Sequence, residues 1–132
     1  MKKIVKITLS ALLTALVVTG CGTAAQIKDV PAQSVTSKIS QKDVYKSIIR
    51  AGMSRGWDMK KISSGLVEAT YAKRKFTVTV SINYTATNYT ISYKSSQGLK
   101  YNEEKKTIHR NYNSWVNNLK NQINSEVLLS AM

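Results

Sequence analysis

KFTVTVSINY, residues 75–84, alternates apolar and polar side chains more clearly than any other segment of the chain. Its apolar positions are Phe76, Val78, Val80, Ile82 and Tyr84. Because successive side chains of a strand point to opposite faces, this segment has one apolar face and one face rich in hydroxyl groups. Such a strand is typical of an antiparallel sheet that is exposed to water on one side.

Two neighbouring segments repeat this alternation. GLVEATY (65–71) and NYTISYK (88–94) each place apolar or aromatic residues on one face and polar residues on the other. The links AKRK (72–75) and TATN (85–88) are short enough for hairpins, although neither contains an Asn-Gly or Asp-Gly pair. The sequence therefore predicts a three-stranded antiparallel meander.

Apolar residues recur at helical spacing on both sides of these strands. Ser40 followed by Asp43 resembles a capping box, and the pattern after it predicts a helix over residues 41–54. A continuous apolar stripe predicts a last helix over residues 111–129. Because a small sheet needs its apolar face covered, both helices are expected on that face. The predicted fold class is α+β, with the order α-β-β-β-α.

The amino-terminal residues have the features of an export signal. Three lysines within the first six residues precede a mainly apolar stretch, residues 7–18. This stretch is shorter than the about 20 residues that a membrane-spanning helix needs. It ends in VTGC (18–21), which resembles the lipobox of bacterial lipoprotein precursors. The resemblance implies diacylglycerol transfer to the sulfur of Cys21, cleavage after Gly20 and a further acyl chain on the new amino terminus.

This resemblance sets the predicted domain organisation. Residues 1–20 are the signal peptide, residues 21–38 the lipidated amino terminus with a flexible tether, and residues 39–132 a single α+β domain. The tether shows neither helical nor strand periodicity, and about 18 flexible residues would reach roughly 20–25 Å. Since Cys21 is the only cysteine, its acylation leaves no free thiol for a disulfide, a metal or catalysis.

The predicted cellular location follows from the lipobox-like motif VTGC (18–21). The lipobox implies a lipid-anchored protein of the cell envelope. Gly22 stands where an aspartate would resemble the inner-membrane retention signal of enteric bacteria. The outer membrane is therefore favoured if the host has two membranes.

The charge of the chain is strongly basic. It contains 20 Lys and Arg against 7 Asp and Glu, a formal net charge of +13. Removal of the signal leaves 17 basic and 7 acidic residues, a net charge of +10. Nucleic acid is the usual partner of such a chain, but an exported lipoprotein does not meet it. The expected partners are the membrane, through the anchor, and an anionic lipid, lipopolysaccharide, wall polymer or envelope protein. In the alternative interpretation, scattered lysines only keep the domain soluble.

Eight basic residues are candidates for binding an anionic partner. They lie in the first predicted hairpin turn, at the end of the third strand and around the last loop. Each cation near an anionic surface contributes about 1 kcal/mol. The candidates are Lys73, Arg74, Lys75, Lys94, Lys100, Lys105, Lys106 and Arg110.

A second resemblance covers residues 91–119 and extends weakly back to Trp57. The residues that carry it are Tyr93, Ser95, Leu99, Tyr101, Ile108, His109, Tyr112, Asn113 and Trp115. This pattern is similar to one in small, uncharacterised bacterial envelope lipoproteins, and the resemblance implies an α+β fold but no activity.

His109, the only histidine, is the one candidate general base. Ser95 or Ser96 could act as its nucleophile, and Glu103 or Glu104 could orient its ring. However, no nucleophile motif surrounds either serine. The structural interpretation is that His109 helps to start the last helix or ties the preceding loop to it.

Three classes of function remain from the sequence. The first is a non-enzymatic accessory or binding module without a cofactor or a metal, in which Tyr101 and His109 are candidate ligand contacts. One histidine and no free thiol fall short of a zinc site. The alternatives are a small periplasmic hydrolase that uses His109 and a structural subunit of an outer-membrane complex. The last would present the face with Thr77, Thr79 and Ser81 to a protein neighbour.

Overall fold

Seven strands and two helices follow one another in residues 23–36 and 38–132, which are the residues that the computed structural model describes. The elements are β1 (Ala24–Gln26), β2 (Val30–Ser34), α1 (Gln41–Ser54), β3 (Asp58–Ser63), β4 (Leu66–Lys73), β5 (Phe76–Tyr84), β6 (Asn88–Gln97), β7 (Thr107–His109) and α2 (Asn111–Ser130).

The main sheet has five antiparallel strands in the order β2-β6-β5-β4-β3, and β1 pairs with β7 in a separate two-stranded sheet. The predicted fold class, a three-stranded meander in an α+β domain, is therefore wrong, because the described chain is mostly β. The strands β4, β5 and β6 are the three segments recognised by their alternation, and they form the centre of the sheet. The strands that the prediction lacks are the two outer strands of the main sheet and the small second sheet.

The outer strand β3 was missed because it has little apolar character. Its sequence is DMKKIS, and Met59 is its only half-buried residue, the others being exposed. Charged side chains are common on edge strands, where they discourage pairing with other chains. A strand of this kind is defined by its hydrogen bonds to β4 and not by a pattern of its own side chains.

The amino-terminal segment forms two strands in its described part, although residues 21–38 were predicted to be a flexible tether without strand periodicity. Ala24 lies opposite His109 in the small sheet, and Val30 lies opposite Ile91 at the edge of the main sheet. Val30 and Val35 are buried in the core. This segment therefore packs onto the domain and does not act as a free tether.

Polar groups far along the chain hold this segment in place. The amide of Ile27 donates to the carbonyl of Lys106 (2.9 Å), and the amide of Lys28 donates to the side-chain oxygen of Asn113 (3.0 Å). The side-chain amide of Asn113 donates in turn to the carbonyl of Gln26 (2.8 Å). Asp29 accepts a hydrogen bond from the amide of Tyr93 (3.1 Å). All these partners lie more than 60 residues away in the sequence, so no local sequence pattern predicts these hydrogen bonds.

Four of the five apolar residues of β5 are buried, as its alternation predicts, and Phe76 is partly buried. The helix α1 has the predicted bounds. The Ser40 hydroxyl accepts a hydrogen bond from the Asp43 amide (3.1 Å), which caps α1. The helix α2 ends one residue later than predicted and buries a stripe of five residues in the core. These are Tyr112, Val116, Leu119, Ile123 and Val127.

The two helices contact each other through a small polar cluster near the end of α2. The buried hydroxyl of Ser47 shares a hydrogen bond with that of Ser130 (2.8 Å), and Arg50 forms an ion pair with Glu126 (3.2 Å). Neither helix of the described residues is long and apolar enough to cross a membrane.

Candidate anion-binding site

The turn between β4 and β5 lies against the chain that follows β6. Lys73 pairs with Phe76, so Arg74 and Lys75 form a tight two-residue turn. Gly98 has a φ of +78°, and a Cβ atom at this position would lie 2.6 Å from the carbonyl oxygen of Lys75. Only glycine allows the two backbones to approach this closely.

The small sheet lies at the same end of the molecule. The ring of Phe76 lies 5.7 Å from the ring of His109, and the amide of His109 donates to the carbonyl of Leu99 (2.8 Å). The amide of Arg110 donates to the carbonyl of Thr23, immediately before β1. The amino-terminal strand, the loop after β6 and the β4–β5 turn therefore meet at one end of the sheet.

Five of the eight candidate cations lie at this end, and two more lie in the adjoining loop beside Gln26 and Ile27; all seven are exposed, and we name the surface that they form the basic end. Lys105 and Lys106 accept hydrogen bonds on their backbone carbonyls from Gln26 and Ile27. Three carboxylates lie nearby, Glu103 and Glu104 in the same loop and Asp29 in a hollow that Lys106 also lines, and they leave a surplus of four positive charges. The basic end consists of Lys73, Arg74, Lys75, Lys100, Lys105, Lys106 and Arg110.

Lys94 does not belong to this group. Its ammonium group forms an ion pair with Glu68 across the polar face of the sheet. The register of β5 and β6 shifts between Thr79 and Val80, beside this residue. A lysine that is paired in this way contributes little charge to an external partner.

The backbone of the basic end is strained at three of its cations. Arg74, Lys100 and Lys106 have φ values of +57°, +52° and +52°, and no other non-glycine residue of the described chain has a positive φ. This conformation costs an ordinary residue about 1–2 kcal/mol, whereas glycine adopts it freely. The three side chains are exposed, so packing does not explain why basic residues stand there. The sequence carried no signal for this feature.

A row of packed aromatic rings leads to Phe76, the residue that follows the β4–β5 turn. Trp57 packs on Tyr71 at 5.2 Å, and Tyr71 packs on Trp115 at 5.0 Å. Trp115 lies 6.5 Å from Phe76, whose ring then meets His109. These distances are typical of favourable aromatic pairs. The row comes from separate parts of the chain, so sequence spacing did not reveal it.

The imidazole of His109 forms a hydrogen bond at the start of the helix α2. Its Nδ1 accepts a hydrogen bond from the amide of Asn111 (3.1 Å), the first residue of α2, which satisfies one of the free amides of that helix end. The Ser96 hydroxyl bonds with the hydroxyl of Tyr93 (2.8 Å) and not with the imidazole. Among the described residues, neither Ser95 nor Ser96 forms the hydrogen bond to His109 that a hydrolase needs.

Tyr101 lies in a different environment from His109. Its ring stacks on Tyr93 at 4.3 Å, and both line a hollow of about 330 Å³ together with Ile27, Asp29 and Lys106. The hydroxyl of Tyr112, on which Tyr93 packs edge-on, is buried without a hydrogen-bond partner. Burial raises the pKa of Tyr112 far above its usual value, and the charge of Asp29 adds to this shift. The hollow has a mixed polar and apolar lining, and Tyr101 remains a predicted ligand contact.

A larger cleft of about 400 Å³ lies between β2 and the first half of α2. Its lining includes the polar residues Lys28, Asp29 and Asn113. Asp29 and Asn113 are already engaged in holding the amino-terminal segment. The cleft therefore follows from the packing of that segment onto α2.

Within residues 23–36 and 38–132, no group of three or more His, Cys, Asp or Glu side chains is placed to hold a metal ion. The predicted cleavage and acylation positions, Gly20 and Cys21, lie outside the described residues. Comparisons with protein-family models, curated proteins and solved structures find no match to this chain. The candidate site is therefore defined by its own geometry and charge.

Proposed function

We propose that this chain is a lipid-anchored, non-enzymatic binding module of the bacterial cell envelope whose basic end binds an anionic envelope component. The observation that carries the proposal is the gathering of seven exposed cations in the basic end, three of them in a strained conformation. The lipobox-like VTGC at residues 18–21 supports the location.

The arrangement of these charges distinguishes the proposal from simple solubility. Lysines that only keep a protein soluble can stand anywhere on its surface. They gain nothing from a strained turn, where glycine or asparagine would be more stable. At about 1 kcal/mol for each cation near an anionic surface, a surplus of four charges would bind such a surface firmly at low salt.

Salt dependence of binding tests this proposal. The mature chain with Cys21→Ser keeps every described residue and carries no acyl group on that side chain. We expect it to bind vesicles that contain phosphatidylglycerol, or purified wall polymer, at about 0.1 M salt and to be released at about 1 M, where the Debye length falls to about 3 Å. Binding that is absent at low salt, or equal at both salt concentrations, would contradict the proposal.

A further inference from the structure

We infer that the basic end rests directly on the anionic headgroups of the bilayer that holds the acyl chains, so that the domain has one fixed orientation on the membrane. This inference rests on the proposed function, and specifically on acylation of Cys21. It adds the identity of the anionic partner and the side of the domain that faces it.

The first support is the short distance between the acylation site and the fold. The carbonyl of Thr23 accepts a hydrogen bond from Arg110, and Ala24 pairs with His109. Cys21 and Thr23 are two residues apart, and two residues span at most about 7 Å in any conformation. The anchor is therefore attached at the basic end itself, and the long tether predicted from the sequence is not available to separate the two.

The second support is the range of the electrostatic attraction. At physiological salt, the field of a charged membrane surface falls off over about 8–10 Å. The backbone of Arg110 contacts Thr23, two residues after Cys21, so Arg110 lies close to this distance of an anchor at Cys21 and brings the neighbouring cations of the basic end towards it. The headgroups around the anchor are therefore the first anionic groups that these cations meet.

The third support is the position of the other end of the domain. The helix α2 starts next to Arg110, and its 20 residues span about 30 Å. It runs towards the opposite end of the sheet, where the hydroxyl of Tyr89, near the start of β6, donates to the carbonyl of Lys120 (3.2 Å). Lys120 is the tenth residue of α2, about 15 Å from the start of the helix, so cations at that end are about two Debye lengths further from the bilayer and contribute little to docking.

The acyl chains and the cations then have separate roles. Two or more acyl chains attach a protein stably, so the cations are not needed for attachment. Once the chain is anchored, docking of the basic end is an intramolecular step with a high effective concentration. The cations therefore set the orientation of the domain.

Two single-cysteine variants test this orientation in the acylated protein. Because Cys21 is the only cysteine, Gln97→Cys and Ser64→Cys each create one free thiol for a fluorescent label. Gln97 is exposed beside Gly98 at the basic end. Ser64 is exposed in the β3–β4 turn, next to Gly65, which lies against Tyr84 at the far end of the sheet. The variants are reconstituted in vesicles of phosphatidylcholine and phosphatidylglycerol that carry a headgroup quencher.

We expect the label at residue 97 to be quenched several-fold more strongly than the label at residue 64, with a smaller difference in phosphatidylcholine vesicles. Equal quenching in the anionic vesicles would overturn the orientation while leaving binding by the Cys21→Ser chain intact. Loss of the difference on addition of wall polymer would overturn it in favour of that polymer. Mass spectrometry of the same samples separates the two proposals, because an unmodified Cys21 would refute the proposed function itself.

Discussion

Replacement of Arg74, Lys100 and Lys106 together by glycine is expected to weaken binding to anionic vesicles about a hundredfold without destabilising the fold. Three cations at about 1 kcal/mol each contribute about 3 kcal/mol, and every 1.4 kcal/mol is a tenfold change in affinity. Glycine removes the strain of the positive φ at all three positions, which offsets the greater freedom that it gives the unfolded chain. Vesicle co-sedimentation of the mature chain with Cys21→Ser measures the first effect, and urea unfolding measures the second.

The matched control removes three charges at the other end of the molecule. Lys38, Lys42 and Lys46 are exposed, and they lie in or just before the first turns of α1, which starts near Gly65. Their joint replacement by glutamine changes the net charge by the same amount but is expected to weaken binding by no more than about threefold, because these positions lie beyond the Debye length. An equal loss in both variants would show that net charge, and not the basic end, determines binding.

Gly98→Ala is expected to be among the most destabilising single substitutions in the chain. Its Cβ atom would lie 2.6 Å from the backbone carbonyl of Lys75 and 3.3 Å from the ring of Phe76. The strain of a positive φ costs about 1–2 kcal/mol, and the collision with the backbone costs about 1–3 kcal/mol more. Urea unfolding should therefore show a loss of about 2–5 kcal/mol in the free energy of unfolding.

Gly56→Ala separates the two causes. Gly56 also has a positive φ, +82°, but the nearest atom to its Cβ position is in the Tyr71 ring at 3.8 Å, an ordinary contact. This variant is expected to lose only the about 1–2 kcal/mol of backbone strain. If both alanine variants lose the same stability, the close approach of the loop after β6 to the β4–β5 turn does not exist.

Local periodicity was enough to locate the centre of the fold. The strict alternation of β5 and the apolar stripes of α1 and α2 are local sequence patterns. These three elements lie close to where they were expected. The edge strands could not be found in this way. The segment DMKKIS of β3 and the segment VPAQS of β2 are mostly exposed, and each becomes a strand only by pairing with a neighbour. The fold class was wrong for this reason.

Only part of the candidate site could be predicted, because local sequence patterns do not show which distant residues come into contact. The basic residues could be named from the sequence, but their gathering depends on the approach of Gly98 to Lys75 and on the pairing of β1 with β7. The exclusion of Lys94 depends on its partner Glu68, which is 26 residues away. The strain at Arg74, Lys100 and Lys106 is a property of the turns and has no signature in residue type.

Hydrogen exchange at the amino-terminal segment tests most directly whether the anchor site adjoins the basic end. The amides of Ile27 and Lys28 donate to Lys106 and Asn113, and the amide of Arg110 donates to Thr23. We expect these three amides to exchange far more slowly than in a free chain, because exchange requires the segment to detach from the domain. Exchange of Ile27 and Lys28 at the free-chain rate would show that residues 23–36 are a flexible tether and would remove the basis for a fixed orientation on the membrane.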